Sequence, residues 1–382
     1  MKITCLCEHL NEGLGIVSRA VASRSTLPVL DNVLVKANGD GQLRLSATDL
    51  EIGINCWIGA RVEESGAITV PAGTFADLIK MLPPGQVELT LNGETKTLEV
   101  DAVRSQSNVK GIDAEEFPVV PAPEAEDGVA IETDVLRLAL DQVAFAAASS
   151  ESQPILTGVL AEFEDKKLTL AATDGYRLSE RVVTLREPIG ESFRVIIPAV
   201  ALQELNRIIG EEDDDITISV LDKRQAIFHL SDIVLVAQLL EGNFPDYKGI
   251  IPGERATHTV LDTSSFLEAC KVARVFARDA SNIVRLYVEP GESDLEPGSV
   301  EVRAVSAETG DDTTTVDASI EGEDIEIAFN VKYLMEAIKA IHTPQVALDT
   351  IGPNVAGVIR PVGENATEFT HVLMPMDLET RQ

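Results

Sequence analysis

Cysteine is scarce in this chain: Cys5, Cys7, Cys56 and Cys270 are the only four among 382 residues. Few, unevenly spaced cysteines in a long chain exclude the dense disulfide framework of small secreted domains. Cys5 and Cys7 would share a strand face, yet no second ligand pair stands near them in sequence. They read as small buried residues, not as a metal site. Long apolar runs are missing too. Nothing approaches the ~18 residues of a membrane-spanning helix. The opening MKITCLCEHL has no signal-peptide core. The expectation is a reduced, cytoplasmic protein with no membrane partner.

Basic charge is the second shortage. Lys and Arg number 31 against 63 Asp and Glu, a net charge of −32. An evenly acidic surface would repel nucleic acid and anionic lipid. Catalytic patterns are missing as well. There is no GxxxxGK[ST] phosphate loop, and Gly13-Leu14-Gly15 falls inside a predicted helix rather than after a strand. The five histidines are scattered without metal-ligand spacing, and Ser149-Ser150 and Ser264-Ser265 have no spacing-linked base. Asp49 and Asp174 each close a strand in a Thr-Asp turn, where Asp commonly bonds its own backbone. These residues predict no catalytic centre, no metal and no cofactor.

What the chain does have is repetition. Leu27–Leu50 (LPVLDNVLVKANGDGQLRLSATDL) and Gln153–Leu178 (QPILTGVLAEFEDKKLTLAATDGYRL) share one design. Two apolar alternating segments are joined by a polar turn and closed by Thr-Asp. Pro28 answers Pro154 at an offset of 126, and Thr48-Asp49 answers Thr173-Asp174 at 125. Around each copy the order also recurs: helix, strand pair, Val-Pro or Ile-Pro into a second helix, hairpin, Phe-Pro. The apolar spacing predicts helices over 9–22, 74–82, 133–148, 199–209, 264–278 and 331–342, with Thr74 as a cap. A third, more diverged copy has Asn330 in place of the proline and Met374-Pro375 in place of Phe-Pro. Each copy holds two helices and about eight short strands. The class is α+β: three repeated domains, each with two helices and two antiparallel sheets, over residues 1–121, 128–252 and 255–378. Pro121–Gly128 reads as a linker.

Charge is unevenly shared between these elements. The six predicted helices carry nine basic residues, Arg19, Lys80, Arg137, Arg207, Lys271, Arg274, Arg278, Lys332 and Lys339, against seven acidic ones. A repeated helix face with relative positive charge, on an acidic body, is a candidate polyanion surface. The spacings Glu204–Arg207 and Lys332–Glu336 also suit an ordinary solvated face.

A set of motifs runs in order through the chain: Thr26-Leu27-Pro28, Ala47-Thr48-Asp49, Val70-Pro71, Phe117-Pro118 and ATDGYRL at Ala172–Leu178. Ile197-Pro198, NFPDY at Asn243–Tyr247, VRLYV at Val284–Val288, FNVKYL at Phe329–Leu334 and Met374-Pro375-Met376 complete it. Over essentially its whole length the chain resembles the bacterial DNA polymerase III beta subunits, the DNA sliding clamps. The resemblance implies a non-enzymatic processivity factor. Two copies would join head to tail into a ring of six domains, with helices lining a hole for double-stranded DNA. Phosphate contacts would be sequence-independent and salt-sensitive. Arg24, in the loop after the first helix, would join Arg19, Lys80, Arg137, Arg207, Lys271, Arg274, Lys332 and Lys339 as a DNA-facing residue.

The resemblance also implies a groove between the second and third domains for short linear motifs. Its partners would be the DNA polymerase III alpha subunit, the clamp-loader complex, translesion polymerases, mismatch-repair proteins and ligase. The middle copy would supply Leu156, Thr173, Gly175, Tyr176, Arg177 and Leu178, followed by Pro245 and Ile250. The third copy would supply Val355, Val372, Met374, Pro375 and Met376. Flexible methionines and apolar walls suit many partners. The homodimer contact would use Val109, Val275 and Phe276. Gly249, Asp377 and Ser107 depart from the family pattern. From composition alone, an acidic repeat scaffold that binds only proteins, or a hydrolase with a dispersed site, would also fit.

Overall fold

Helix α1, Cys7–Val17, buries Cys7, Leu10, Gly13, Leu14 and Val17, a stripe at helical spacing. Gly13 lets the helix lie close to the sheet: a Cβ there would come within 2.9 Å of the Leu45 side chain. Helix α2, Ala72–Met81, buries Ala72, Phe75 and Ile79 and packs against α1. It springs directly from the strand Gly66–Pro71, with Pro71 at the cap position and no side-chain cap bond. Thr74 is therefore an interior residue and not the cap that its sequence position implied.

Helices α3 (Thr133–Val143), α4 (Ala199–Ile208), α5 (Thr263–Ala277) and α6 (Val331–Lys339) follow in the later copies. Asp262 caps α5 by accepting the Ser265 N–H, and Asn330 caps α6 by accepting the Lys332 N–H. α5 and α6 pack together over a core that includes Phe266, Leu286, Phe329, Leu334 and Ile338. After α1 and α3 the chain makes one tighter turn, Ser18–Ala20 and Ala144–Ala146. Apolar spacing therefore runs past both α-helical ends.

The computed structural model describes residues 1–22, 25–123, 128–150, 152–210, 215–278, 281–291, 297–363 and 366–377. Among them are six α-helices and 24 strands, eight strands to each copy. The strands make two twelve-stranded sheets, with antiparallel pairing. In the first, the long strand Ile52–Glu64 is the hub. It pairs with Lys2–Leu6, with Gln42–Thr48 and with Ile233–Gln238 from the middle copy. In the second, Arg177–Thr184 pairs with Lys167–Thr173 and with Phe369–Leu373 from the third copy. The middle copy is thus shared out. Met1–Asp134 and Ala201–Leu239 form one compact unit, and Val135–Val200 and Leu240–Gln382 form the other.

The offsets read from the sequence are the registers of these sheets. Leu34 pairs with Ser46 as Leu160 pairs with Ala171, and Thr48 pairs with Gly53 as Thr173 pairs with Leu178. Phe75, Phe163, Phe228, Phe266, Phe329 and Phe369 are fully enclosed, each contributing about 1.5–3 kcal/mol by burial. All four cysteines are free and buried. Burial pushes the Cys5 and Cys56 thiols up to about 12, so they are packing groups rather than nucleophiles. Among the described residues no His, Cys, Asp and Glu group is arranged to hold a metal ion. No described helix is long and apolar enough to cross a membrane.

Candidate functional site

The ATDGYRL segment folds as a tight turn that reverses the chain between two strands. Thr173 Oγ1 donates to the Arg177 carbonyl at 2.6 Å and accepts the Gly175 N–H at 3.0 Å. Asp174 Oδ1 accepts the N–H groups of Tyr176 and Arg177 at 2.9 and 3.0 Å. This backbone role is the one predicted for the Thr-Asp pair. Gly175 sits at φ +89°, a left-handed conformation that favours glycine. The turn projects Tyr176 outward, 65% exposed, and returns Leu178 inward, 2% exposed.

Leu178 pairs with Val372 across the sheet, and the Met374 N–H donates to the Tyr176 carbonyl at 2.9 Å. The C-terminal segment is thereby laid beside the turn. Leu178 and Val372 belong to a buried cluster with Leu160, Ala171, Ile196, Tyr247 and Ala356. Tyr176, Pro245, Ile250, Val355 and Met374 are exposed. Leu156 and Thr173 are buried, Pro375 is half-buried, and half-buried Met376 donates its N–H to the Ala328 carbonyl at 2.8 Å. The unit therefore has an apolar floor at Leu178 and Val372 and several exposed apolar side chains from the same segments. The sequence did not mark Leu160, Ala171, Ile196, Ala356 or Tyr247 as members of this cluster. Tyr247 stands two positions after Pro245 in NFPDY, and burial pushes its phenol upward, helped by the Glu180 carboxylate.

Arg177 does not present an open side chain. Its side chain is 8% exposed. Nε donates to Asp174 Oδ2 at 3.1 Å, Nη2 donates to the Phe145 carbonyl at 2.7 Å, and Nη1 pairs with Glu336 on α6. The guanidinium also lies over the rings of Tyr333, at 4.3 Å, and Phe145, at 5.3 Å. One buried cation thus ties the turn to α6 and to the segment after α3. Beside it, His371 is fully buried, bonds Ser179 Oγ through Nδ1 at 2.8 Å and stacks on Phe145. Burial, then the Arg177 charge, lowers its pKa to about 3, so the ring is neutral.

The helix cations differ in exposure and in pairing. Lys80, Lys271, Arg274, Lys332 and Lys339 are exposed, and Arg137 is half-buried. Arg19 Nη1 bonds Glu204 Oε2 at 3.1 Å, and Arg207 pairs with the same carboxylate. Lys80, Arg207, Arg274 and Lys339 lie in the last turns of their helices, where a cation also offsets the helix dipole. Arg24 lies outside the described residues.

Family models for the N-terminal, central and C-terminal domains of the DNA polymerase III beta subunit match residues 1–121, 130–246 and 248–377. The chain is 34% identical to the beta sliding clamp of Synechococcus elongatus, covering 100% of both. It is 32% identical to that of Bacillus subtilis, covering 98% of this chain and 99% of the other. The crystal structure of the Bacillus subtilis DNA polymerase sliding clamp matches with a TM-score of 0.91 at 29% identity, over 99% of each chain. The chain belongs to the beta sliding clamp family.

Its function is the family's: a non-catalytic processivity subunit of DNA polymerase III, acting in DNA replication. Membership makes DNA and DNA polymerase its partner classes. The clamp fold is the three-domain α+β arrangement read from the repeats. Of the three residues expected at a clamp dimer contact, Val275 is 61% exposed on α5, and Phe276 is half-buried against the α5–α6 core. Val109 is buried within its own chain, on the outermost strand of the first sheet, Ser105–Lys110.

Proposed function

We propose that two copies of this chain join head to tail and close around double-stranded DNA. We propose further that the groove floored by Leu178 and Val372 tethers its protein partners. Each copy contributes three domains, over 1–121, 128–252 and 255–378. Lys80, Lys271, Arg274, Lys332 and Lys339, with Arg19, Arg24, Arg137 and Arg207, attract phosphates without reading bases. The acidic body opposes tight gripping, so retention comes from encirclement and the clamp stays free to slide. The open edge of Ser105–Lys110, with Val109 packed beneath it, supports a subunit contact to Val275 and Phe276 of the second copy.

The observation that carries the tethering role is an apolar floor flanked by exposed Tyr176, Ile250, Val355 and Met374. Exposed apolar groups around a preformed floor mark a protein-binding surface. Methionine adapts to different occupants, so the DNA polymerase III alpha subunit, clamp loader, translesion polymerases, mismatch-repair proteins and ligase take turns there. The test is anisotropy with a labelled peptide from the alpha subunit. Tyr176→Ala and Met374→Ala each weaken binding about tenfold, or 1.4 kcal/mol, with the dimer intact by sedimentation. Unchanged peptide affinity in both variants would place the partner site elsewhere.

A further inference from the structure

The first compact unit contains a second copy of the groove turn, with a cavity of about 80 Å³ beside it. The backbone bonds match those of the groove one for one. Thr48 Oγ1 donates to the Ile52 carbonyl at 2.8 Å and accepts the Leu50 N–H at 3.0 Å. Asp49 Oδ1 accepts the N–H groups of Glu51 and Ile52 at 2.9 and 2.7 Å. The Gln238 N–H donates to the Glu51 carbonyl at 2.8 Å, as Met374 does to Tyr176. Gly53 pairs with Val236 where Leu178 pairs with Val372. Beneath the turn, Leu34, Phe117, Val120 and Val236 form a buried cluster.

Four differences give this site its own character. Leu50 sits at φ +80°, where the groove has Gly175, and is 50% exposed. A leucine in that conformation is strained, and strain retained at an exposed apolar side chain points to use rather than packing. Val119, on the segment Pro118–Pro121 that also lines the cavity, is 90% exposed. That segment is tied to the sheet, because buried Asn55 donates to the Pro121 carbonyl at 3.1 Å. Gln225 and Gln238, cross-strand neighbours, supply amide groups on the cavity wall, and exposed Glu51 puts a negative charge there.

We propose that this cavity is a second, smaller peptide-docking site. It takes one branched aliphatic side chain from an extended, cationic segment of a partner protein. Its volume, about 80 Å³, is well below the roughly 150 Å³ of an apolar cavity that admits benzene, so a compact aliphatic group suits it better than an aromatic ring. The glutamine amides hydrogen-bond the occupant's backbone, and Glu51 favours Lys or Arg beside the aliphatic residue. The proposal rests on the groove reading only for the class of ligand.

The test is methyl NMR of the full chain, titrated with acetyl-Arg-Leu-Arg-amide and, in parallel, acetyl-Arg-Ala-Arg-amide and acetyl-Arg-Phe-Arg-amide. The leucine peptide shifts the Leu50, Val119 and Val236 methyls at millimolar concentration. The alanine and phenylalanine peptides shift them several-fold less. Leu50→Gly and Val119→Asp abolish the effect, and both fold: one relieves strain and the other places at an exposed site the residue found at Asp246. The double variant Tyr176→Ala/Met374→Ala leaves these shifts unchanged. Shifts confined to Leu178 and Val372, no shifts, equal response to alanine, or persistence in Val119→Asp would overturn the proposal. The groove reading stands or falls separately on the alpha-subunit peptide.

Discussion

The guanidinium of Arg177 lies 4.3 Å from the ring centre of Tyr333. Through that stack, and through its pairs with Asp174 and Glu336, the groove turn is fastened to α6. Arg177→Ala should leave the Asp174 carboxylate, with only 12% of its side chain exposed, its backbone donors but no cation. The expected cost is about 3–5 kcal/mol in urea unfolding. Arg177→Lys should recover little, since one ammonium cannot serve three acceptors and two rings. A loss below about 1 kcal/mol for Arg177→Ala, the level of an exposed pair, would show the cluster to be decorative.

His371 sets a pH dependence. Its pKa falls from 6.5 to about 3 on folding because burial and the Arg177 charge oppose protonation. The unfolded chain therefore binds the proton first. The neutral ring's contribution is complete above pH 6.5 and is lost as pH falls toward about 3, at about 1.4 kcal/mol per pH unit. Carboxylates titrate in the same window, so the test is a difference: the slope of unfolding free energy against pH should be smaller in His371→Gln than in the parent chain by this amount.

Gly175 and Leu50 occupy the same turn position at φ +89° and +80°. Substitutions there should act with opposite sign. Gly175→Leu should destabilise the chain by about 1–2 kcal/mol, and Leu50→Gly should stabilise it by a similar amount. Thermal unfolding of the two variants decides this.

Glu204 pairs with both Arg19 and Arg207 and cancels half of their charge. Glu204→Gln should free two guanidiniums and raise affinity for double-stranded DNA at low salt. The slope of log K against log salt should steepen by about 0.9 for each cation that gains a phosphate. Lys332→Ala should make the slope shallower by a similar step. Filter binding over a salt series measures both.

Much of this architecture was legible in the chain. The 125–126-residue offsets became strand registers, and Thr173-Asp174 made the turn that its side chains imply. What escaped notice had physical reasons. The strand Gly310–Glu321, GDDTTTVDASIE, is largely polar because much of its length faces solvent, so it carries almost no apolar signal. Ser105–Lys110, SQSNVK, is hidden for the same reason. Arg177 read as a groove wall because its partner Glu336 is 159 residues away, and no local spacing announces such a pair. The strand Ile233–Gln238 joins the first copy's sheet at Ile52–Glu64, a pairing set by tertiary packing rather than by either segment alone.

The central claim is retention by encirclement. It is tested most directly by loading the protein onto nicked circular DNA with a clamp loader and ATP, then cutting the circle. The account predicts that the protein co-elutes with the closed circle and dissociates once the DNA is linear. Persistence on linear DNA, or failure to be retained on the circle, would contradict it.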